Sequence, residues 1–407
     1  MDDAQLRDQA APDHLTPERR LIRDTARTFT REVVAPTANR LDPLKEDMPR
    51  ELIDQMGELG FFGILIPEDL GGLGLGAYEY CLVVEELAKG WMSVASVVAR
   101  GNNFYRAVPG SGDERRAKIA AMAKGQYLGA AALSEPGTGS DLSNVACRAR
   151  RDGDEWVITG AKYWCTFADG ADFIRVLCRI DDPDVPEGAK PATVLVAVEK
   201  PRGELPAGCT GSPIPKVGYF GWKTWELYFD GVRGFGHTDA GPVGGGEAGK
   251  AFEATAAALG IARCHTAARS IGLAQAALDA AMAYAKERVQ FGQPISDFQA
   301  IRFKIATMAT EIEAARALLY HTCDEIDAGR ASRTKISMIK YFASEMAERV
   351  TSEALQIFGG AGYTTLHPVE RYWRDARLTK IFEGTSEIQQ RIIADVMLGK
   401  PSRHGSN

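Results

Sequence analysis

The strongest constraint in this chain lies in its second half, where apolar residues recur with a 3.6-residue period through Phe252–Arg288, Asp297–Ala328 and Arg333–Phe358. Helices of about thirty residues bury an apolar stripe only against partners of similar length. These runs therefore predict a bundle with extensive shared faces, completed by a shorter helix near the C-terminus whose apolar positions are Ile388, Ile392, Ile393, Val396 and Met397.

The first third also reads as helical. Thr16-Pro17-Glu18 starts a helix with a cap residue and a proline in the first turn, and further helices are expected at Pro49–Leu59, Tyr78–Lys89, Met92–Asn103 and Glu114–Lys124. Residues 1 to about 14 are polar and expected to be loose. Near Gly129 the pattern changes to short β-rich runs, Trp156–Thr159, Phe173–Cys178, Thr193–Val198 and Trp225–Phe229, separated by Gly, Pro and Asp. None is followed by a helical crossover, so the sheet should be antiparallel, a small barrel or sandwich. A chain of 407 residues exceeds what one core usually serves. The expected fold is thus α+β and multidomain: an N-terminal helical domain (1–128), a middle antiparallel β-barrel or sandwich (129–243) and a C-terminal four-helix bundle (244–407).

Composition narrows the function classes. Apolar content of 45% and charged content of 25% suit a globular protein, and a net charge of −6 offers no basic field for nucleic acid. Seven cysteines without a C-x-x-C pair signal neither a zinc site nor a disulfide framework, and are expected as buried, reduced thiols. No metal site and no membrane segment are expected, because no apolar run reaches membrane-spanning length and the N-terminus lacks an apolar core region. The expected location is the cytoplasm.

Two glycine-rich stretches mislead. Gly71-Gly72-Leu73-Gly74-Leu75-Gly76 resembles a dinucleotide fingerprint, but its third glycine is misplaced and Pro67 cuts off the preceding strand candidate. Gly244–Ala251 is nearly a P-loop, yet Ala251 replaces the hydroxyl that would hold magnesium, and an interdomain loop is the better reading.

Other stretches carry chemistry. Leu133-Ser134-Glu135-Pro136-Gly137-Thr138-Gly139-Ser140-Asp141 combines hydroxyls and glycines at the first boundary between helical and β sequence, which suits a flat or anionic ligand as well as a plain turn. Trp164-Cys165-Thr166 adds an indole and a hydroxyl, or is an ordinary amphipathic strand. Glu287–Gly292 breaks one long helix, Phe298-Gln299 starts the next, and Gln356–Tyr363 ends a later one with glycines suited to left-handed capping. Arginine, glutamine and bare backbone suit a pyrophosphate and an adenine, though each also reads as a helix end. Finally, Lys380–Gln390 places Glu383 in a turn, between Phe382 and Gly384, ahead of a helix opened by a Ser386–Gln389 capping pair. A carboxylate beside unpaired helix N–H groups is a candidate general base or a solvated turn residue.

Taken together, these motifs resemble the acyl-CoA dehydrogenase family, in the family's order, from about Thr16 to Leu398. The resemblance implies one FAD per subunit, an acyl-CoA substrate, an electron-transferring flavoprotein as acceptor and a homotetramer. Carried over by position, Leu133, Ser134, Gly139, Ser140, Trp164 and Thr166 would line the flavin. Arg288, Phe291, Gln299, Gln356, Gly359 and Gly360 would hold its pyrophosphate and adenosine across a subunit boundary, with Thr385 and Glu387 contacting the dinucleotide. Ser140, Arg263, Phe382 and Gly384 would touch substrate, and Glu383 matches the catalytic base. A minority branch takes its base from the position before the arginine matched by Arg263. Here that residue is Ala262, which has no acidic group.

Gly260 stands where members using free acyl-CoA often carry an acid, so an acyl-carrier-protein thioester is an alternative carrier. Trp91 points to a short or branched acyl group. The rival readings are an oxidase, desulfinase or monooxygenase on the same fold, and a non-catalytic or nucleic-acid-binding relative.

Overall fold

The structure is a computed structural model that describes residues 15–181, 192–236 and 251–401. The helices of its first third are α1 (Pro17–Phe29), α2 (Ala35–Leu41), α3 (Arg50–Glu58), α4 (Ala77–Gly90), α5 (Met92–Val97), α6 (Ala99–Asn102) and α7 (Gly112–Ala123). Strands β1 (Gly129–Ala132), β2 (Arg148–Asp152), β3 (Glu155–Thr166), β4 (Phe173–Ile180), β5 (Thr193–Glu199), β6 (Cys209–Pro213) and β7 (Thr224–Gly236) follow. The last part holds α8 (Ala251–Glu287), β8 (Val289–Gln290), β9 (Gln293–Pro294), α9 (Gln299–Asp327), α10 (Arg333–Phe358), α11 (Val369–Thr379) and α12 (Ser386–Leu398). The expected loose segment 1–14 and the near-P-loop stretch through Lys250 lie outside the described residues.

The chain divides into two compact units. One comprises Met1–Leu44, Gly76–Ser96 and Arg263–Asn407, the other Lys45–Leu75 and Val97–Ala262.

In the first unit, α9 buries Met308, Ile312, Ala315, Leu319 and Cys323, and α10 buries Ile339, Ala343, Met346, Val350, Ala354 and Ile357. Both series step by three or four residues, as the periodicity requires for a shared seam. Each large aliphatic side chain removed from water contributes about 1.5–3 kcal/mol, so these faces hold the bundle together. A buried polar link joins α4 to α9: the Glu85 carboxylate accepts from Arg316 Nε at 3.0 Å and from Tyr320 Oη at 2.7 Å. Asp327, the last residue of α9, accepts from the N–H groups of Ala77 and Tyr78 at 2.6 and 3.1 Å. The N-terminal dipole of α4 is thereby satisfied by a carboxylate from within the protein, at the very place where the misleading glycine run ends.

In the second unit, β4, β2, β3, β7 and β5 pair in a closed circuit, since β5 bonds both β7 and β4, while β1 and β6 add to β4 and β7. Most pairings are antiparallel, as expected, but β1 and β2 pair with β4 in parallel, so the sheet is mixed. β4 begins with an unbroken buried run, Phe173–Cys178, and so tolerates partners on both sides. Phe104, Tyr105, Ile119, Met122 and Phe173 form a core cluster between the helical segments and the sheet of this unit.

Three local expectations need correction. The single helix drawn over Met92–Asn103 is broken at Val98 into α5 and α6. The cap of α12 is Thr385, whose side chain accepts from Ile388 N at 3.3 Å, and Ser386 lies inside the first turn with its hydroxyl on Glu345. Gln389 reaches back to the Gly384 carbonyl at 3.1 Å instead of to a cap N–H. The apolar face of α12 is also shorter than its spacing suggests: Ile392 is buried, but Val396 and Met397 are exposed.

Candidate functional site

The turn between α11 and α12 bends sharply. Glu383 has φ of 56° and Gly384 φ of 87°, two consecutive left-handed residues. For a non-glycine residue that conformation costs of order 1–3 kcal/mol and persists only where the surroundings enforce it. Helix α10 supplies much of that enforcement. Lys340 Nζ donates to the Gly384 carbonyl at 2.6 Å, Ser344 Oγ donates to the Thr379 carbonyl at 3.0 Å, and Glu345 and Glu348 hold Lys380 at 2.9 and 2.6 Å. Within the turn, Ser386 N donates to the Lys380 carbonyl at 3.0 Å.

Cations surround this turn from below. The guanidinium of Arg269 lies 4.5 Å from the centre of the Phe382 ring and donates to Ser96 Oγ and Thr266 Oγ1. Arg263 is buried, and burial and the Arg333 charge pull its pKa down while Glu383 opposes them. Burial lowers the Lys340 ammonium to about 8, with Glu383 acting in the other direction. The turn is thus a carboxylate held on a bed of desolvated positive charge.

A second cluster lies at the far end of α10. The end of α8 reaches it through Tyr284, whose ring stacks on Phe358 at 4.2 Å, one turn before Arg288 and one residue before Gly359. After Arg288 the chain forms the small β8–β9 hairpin, whose two turn residues, Phe291 (φ 52°) and Gly292 (φ 82°), are both left-handed. That matches a type I′ turn and thrusts the Phe291 ring outward, 95% exposed. Gln356, Gly359 and Gly360 are exposed, and a Cβ added at either glycine would meet no atom within 4 Å. Arg288 and Phe291, just past the end of α8, and Gln356, Gly359 and Gly360, at the end of α10, are therefore exposed on either side of the Tyr284–Phe358 stack, with Gln299 exposed at the start of α9. Thr385 and Glu387 are not among them. Sixteen residues of α10 separate Lys340, beside the turn, from Gln356, roughly 24 Å of helix.

In the second unit, Trp164 has φ of 66° and sits where the β3–β7 register slips between Lys162 and Cys165. This bulge leaves the indole 55% exposed while Cys165 points into the core. Thr166 Oγ1 lies 3.2 Å from Thr224 Oγ1. The Leu133–Asp141 loop closes on itself, with Glu135 and Thr138 exchanging backbone hydrogen bonds at 2.8 and 3.1 Å. Its anchor is the Glu135 carboxylate, which accepts from the N–H groups of Ala146 and Cys147 and from the fully buried Lys162 Nζ at 2.8 Å. Lys162 also donates to the Leu133 carbonyl at 2.9 Å, and Tyr163 N to that of Ser134 at 2.8 Å. Gly139 and Ser140 are exposed at the rim, and Gly137 and Gly139 face open space. Open glycine surface beside an exposed indole fits a planar, partly anionic cofactor such as FAD.

Sequence reasoning missed Lys340, Ser344 and Lys162, and gave Gln389 a capping role in place of its bond to the Gly384 carbonyl. The three missed residues leave a trace, since Ser337, Lys340 and Ser344 put polar residues on the buried stripe of α10 and Lys162 interrupts an apolar strand. All seven cysteines are buried and free, and among the described residues no cluster of His, Cys, Asp and Glu could hold a metal ion. No helix among the described residues is long and apolar enough to cross a membrane.

Three family models match the chain in succession: acyl-CoA dehydrogenase N-terminal domain over residues 16–126, middle domain over 130–232 and C-terminal domain over 249–398. The chain is 36% identical over 387 residues to a 3-(aryl)acrylate reductase of Clostridium sporogenes, covering 94% of this chain and 99% of the relative. Among solved structures it is similar to butyryl-CoA dehydrogenase from Megasphaera elsdenii (TM-score 0.85, 32% identity, 95% and 100% of the two chains). It is also similar to a glutaryl-CoA dehydrogenase from Mycobacterium smegmatis in complex with FADH2 (TM-score 0.84, 26% identity, 96% and 97%).

Proposed function

The chain belongs to the acyl-CoA dehydrogenase family, FAD-dependent oxidoreductases, and from that premise we propose that it removes the α and β hydrogens of an acyl-CoA thioester with Glu383 as the base. The observation that carries this reading is the left-handed Glu383–Gly384 turn, strained and held in place by contacts from α10 and α12. A surface glutamate with no task needs no such support.

In this reading Glu383 accepts the α-proton, and the electrons of the broken α C–H bond form the new α,β double bond. FAD, when bound, supplies the acceptor for the β-hydrogen, which leaves as hydride with its electron pair. The thioester carbonyl takes up negative charge as the α-proton departs, so donors aimed at that oxygen lower the barrier, and the Glu383 backbone N–H fills that role. Arg263 and Lys340 keep positive charge next to the carboxylate without entering the reaction. Ser140, Arg263, Phe382 and Gly384 are assigned to the substrate. Ala262 offers no second base.

For the cofactor, Leu133, Ser134, Gly139, Ser140, Trp164 and Thr166 are assigned to the flavin ring. Arg288, Phe291, Gln299, Gln356, Gly359 and Gly360 are assigned to the pyrophosphate and adenosine, and Thr385 and Glu387 to the dinucleotide beside the helix start. The separation of the last two from the Gly359 cluster along α10 supports a second copy of the chain completing each site, and the homotetramer is the assembly that the family resemblance implies. A three-domain division at 1–128, 129–243 and 244–407, an electron-transferring flavoprotein as acceptor and a cytoplasmic location belong to the same reading.

The test is to add acyl-CoA esters of varied length and branching anaerobically to the flavinylated protein and to watch the flavin absorbance. Bleaching by a subset of esters, with a short or branched chain preferred beside the buried Trp91, is the expected outcome. Failure of every CoA ester, with bleaching by an acyl-carrier-protein thioester, would instead fit Gly260 and move the carrier assignment.

A further inference from the structure

We propose that Lys340 is a positioning residue for this reaction: its ammonium clamps the Gly384 carbonyl and thereby holds Glu383 in the left-handed conformation that presents its carboxylate. The inference rests on the reading of Glu383 as base.

Two side chains converge on one carbonyl, that of the residue immediately after Glu383. Lys340 Nζ donates to it at 2.6 Å and Gln389 Nε2 at 3.1 Å. Neither donor is local in sequence to the other, so the turn is gripped from α10 and α12 at once. The Lys340 side chain is fully buried on the face of α10 whose other buried residues are apolar or small hydroxyls (Ser337, Ser344, Thr351), none of them charged. An ammonium on such a face is costly to desolvate unless it serves a polar partner, and methionine would fill the same space more cheaply. Among the described residues its ammonium has no carboxylate within salt-bridge distance. It donates instead to a backbone carbonyl in the turn between α11 and α12 where Glu383 is left-handed.

Charged groups act on Lys340 from the turn, from its own helix and from α8 and α12. Glu383 faces it from the turn, Arg263 and Arg269 from α8, Glu345 from its own helix, and Glu387 from the start of α12. Burial, helped by the two arginines, lowers its pKa to about 8 against the carboxylates. As pH rises past that value the clamp becomes a neutral amine, a weaker donor to the carbonyl.

The experiment compares FAD-loaded wild type with Lys340→Met and Lys340→Gln. Anaerobic rapid mixing with a bleaching acyl-CoA gives the limiting rate of flavin reduction and the substrate dissociation constant at several pH values, and crystals of each variant give the Glu383 backbone. The expected result for Lys340→Met is a limiting rate lower by about tenfold or more, as for a misplaced reacting group, with substrate affinity nearly unchanged. Wild type should lose rate above about pH 8 as the ammonium deprotonates, and Lys340→Gln, which keeps a donor that does not titrate, should recover part of the rate and show no such fall. Glu383 should leave the positive-φ region in the methionine variant. A wild-type rate in Lys340→Met, or an alkaline fall unchanged in Lys340→Gln, would overturn the proposal, and so would a left-handed Glu383 in crystals of the methionine variant. If no thioester bleaches the wild-type flavin, the reading of Glu383 as base is what fails. The crystal comparison still decides whether Lys340 sets the turn.

Discussion

Among the described non-glycine residues with positive φ are Trp164, Phe291 and Glu383, and each drives a large side chain out of the path its element would otherwise give it. Trp164 does so at a bulge, Phe291 at a hairpin tip and Glu383 between two helices. Phe291 allows a clean separation of stability from binding. Its ring is 95% exposed, so Phe291→Gly removes almost no buried area and relieves a left-handed conformation that glycine adopts freely. The melting temperature of the apoprotein should stay within a few degrees of wild type. FAD affinity, read by fluorescence titration, should fall several-fold, the worth of one aromatic contact at about 0.5–1.5 kcal/mol. The sequence displays such residues because glycine or an aromatic neighbour marks them: Phe291-Gly292, Glu383-Gly384 and Tyr163-Trp164. Their supports are hidden. Lys340 lies 44 residues from the carbonyl it holds and Lys162 lies 27 from Glu135, distances at which no local pattern operates.

At the scale of elements, legibility followed the purity of the apolar stripe. α10 begins and ends where its periodicity places it, at Arg333 and Phe358. The helix α11 was not foreseen, because its buried face carries Arg371, Asp375 and Thr379 beside Val369, Tyr372 and Ala376, which dilutes the 3.6-residue signal. The Ser386 cap was misassigned by one residue because Thr385 offers the same chemistry next door. The β section hid its parallel pairs for another reason. The chain runs from β1 and β2 to their parallel partner β4 by way of β3, with no α-helical crossover to announce the pairing. One element contact invites a direct test. Gly76 has no side chain to cap α4, and Asp327 accepts from the first two N–H groups in its place. Asp327→Ala should cost about 1 kcal/mol, within the 0.5–2 kcal/mol range of lost caps, and appear as a lower melting temperature with FAD binding intact.

The whole molecule feels the buried lysine through its protons. Burial sets the folded pKa of Lys340 at about 8, below the ordinary lysine value near 10.4. Below about pH 8 the ammonium is charged in both folded and unfolded chains, and the cost of burying it is carried in full. Between about 8 and 10 the folded protein sheds the proton while the unfolded chain keeps it, so that cost is progressively relieved. Thermal denaturation of wild type and Lys340→Met across this window should therefore show the difference moving in favour of wild type as pH rises. A difference that is flat with pH would mean that the amine titrates as it does in water.

The function assigned to the molecule stands on one carboxylate, and its replacement is the most direct test. Purified Glu383→Gln, loaded with FAD and mixed anaerobically with an acyl-CoA that bleaches wild type, should bind cofactor normally and reduce it at least about a hundredfold more slowly. Flavin reduction at a near-wild-type rate in the fully flavinylated variant would contradict Glu383 as the base.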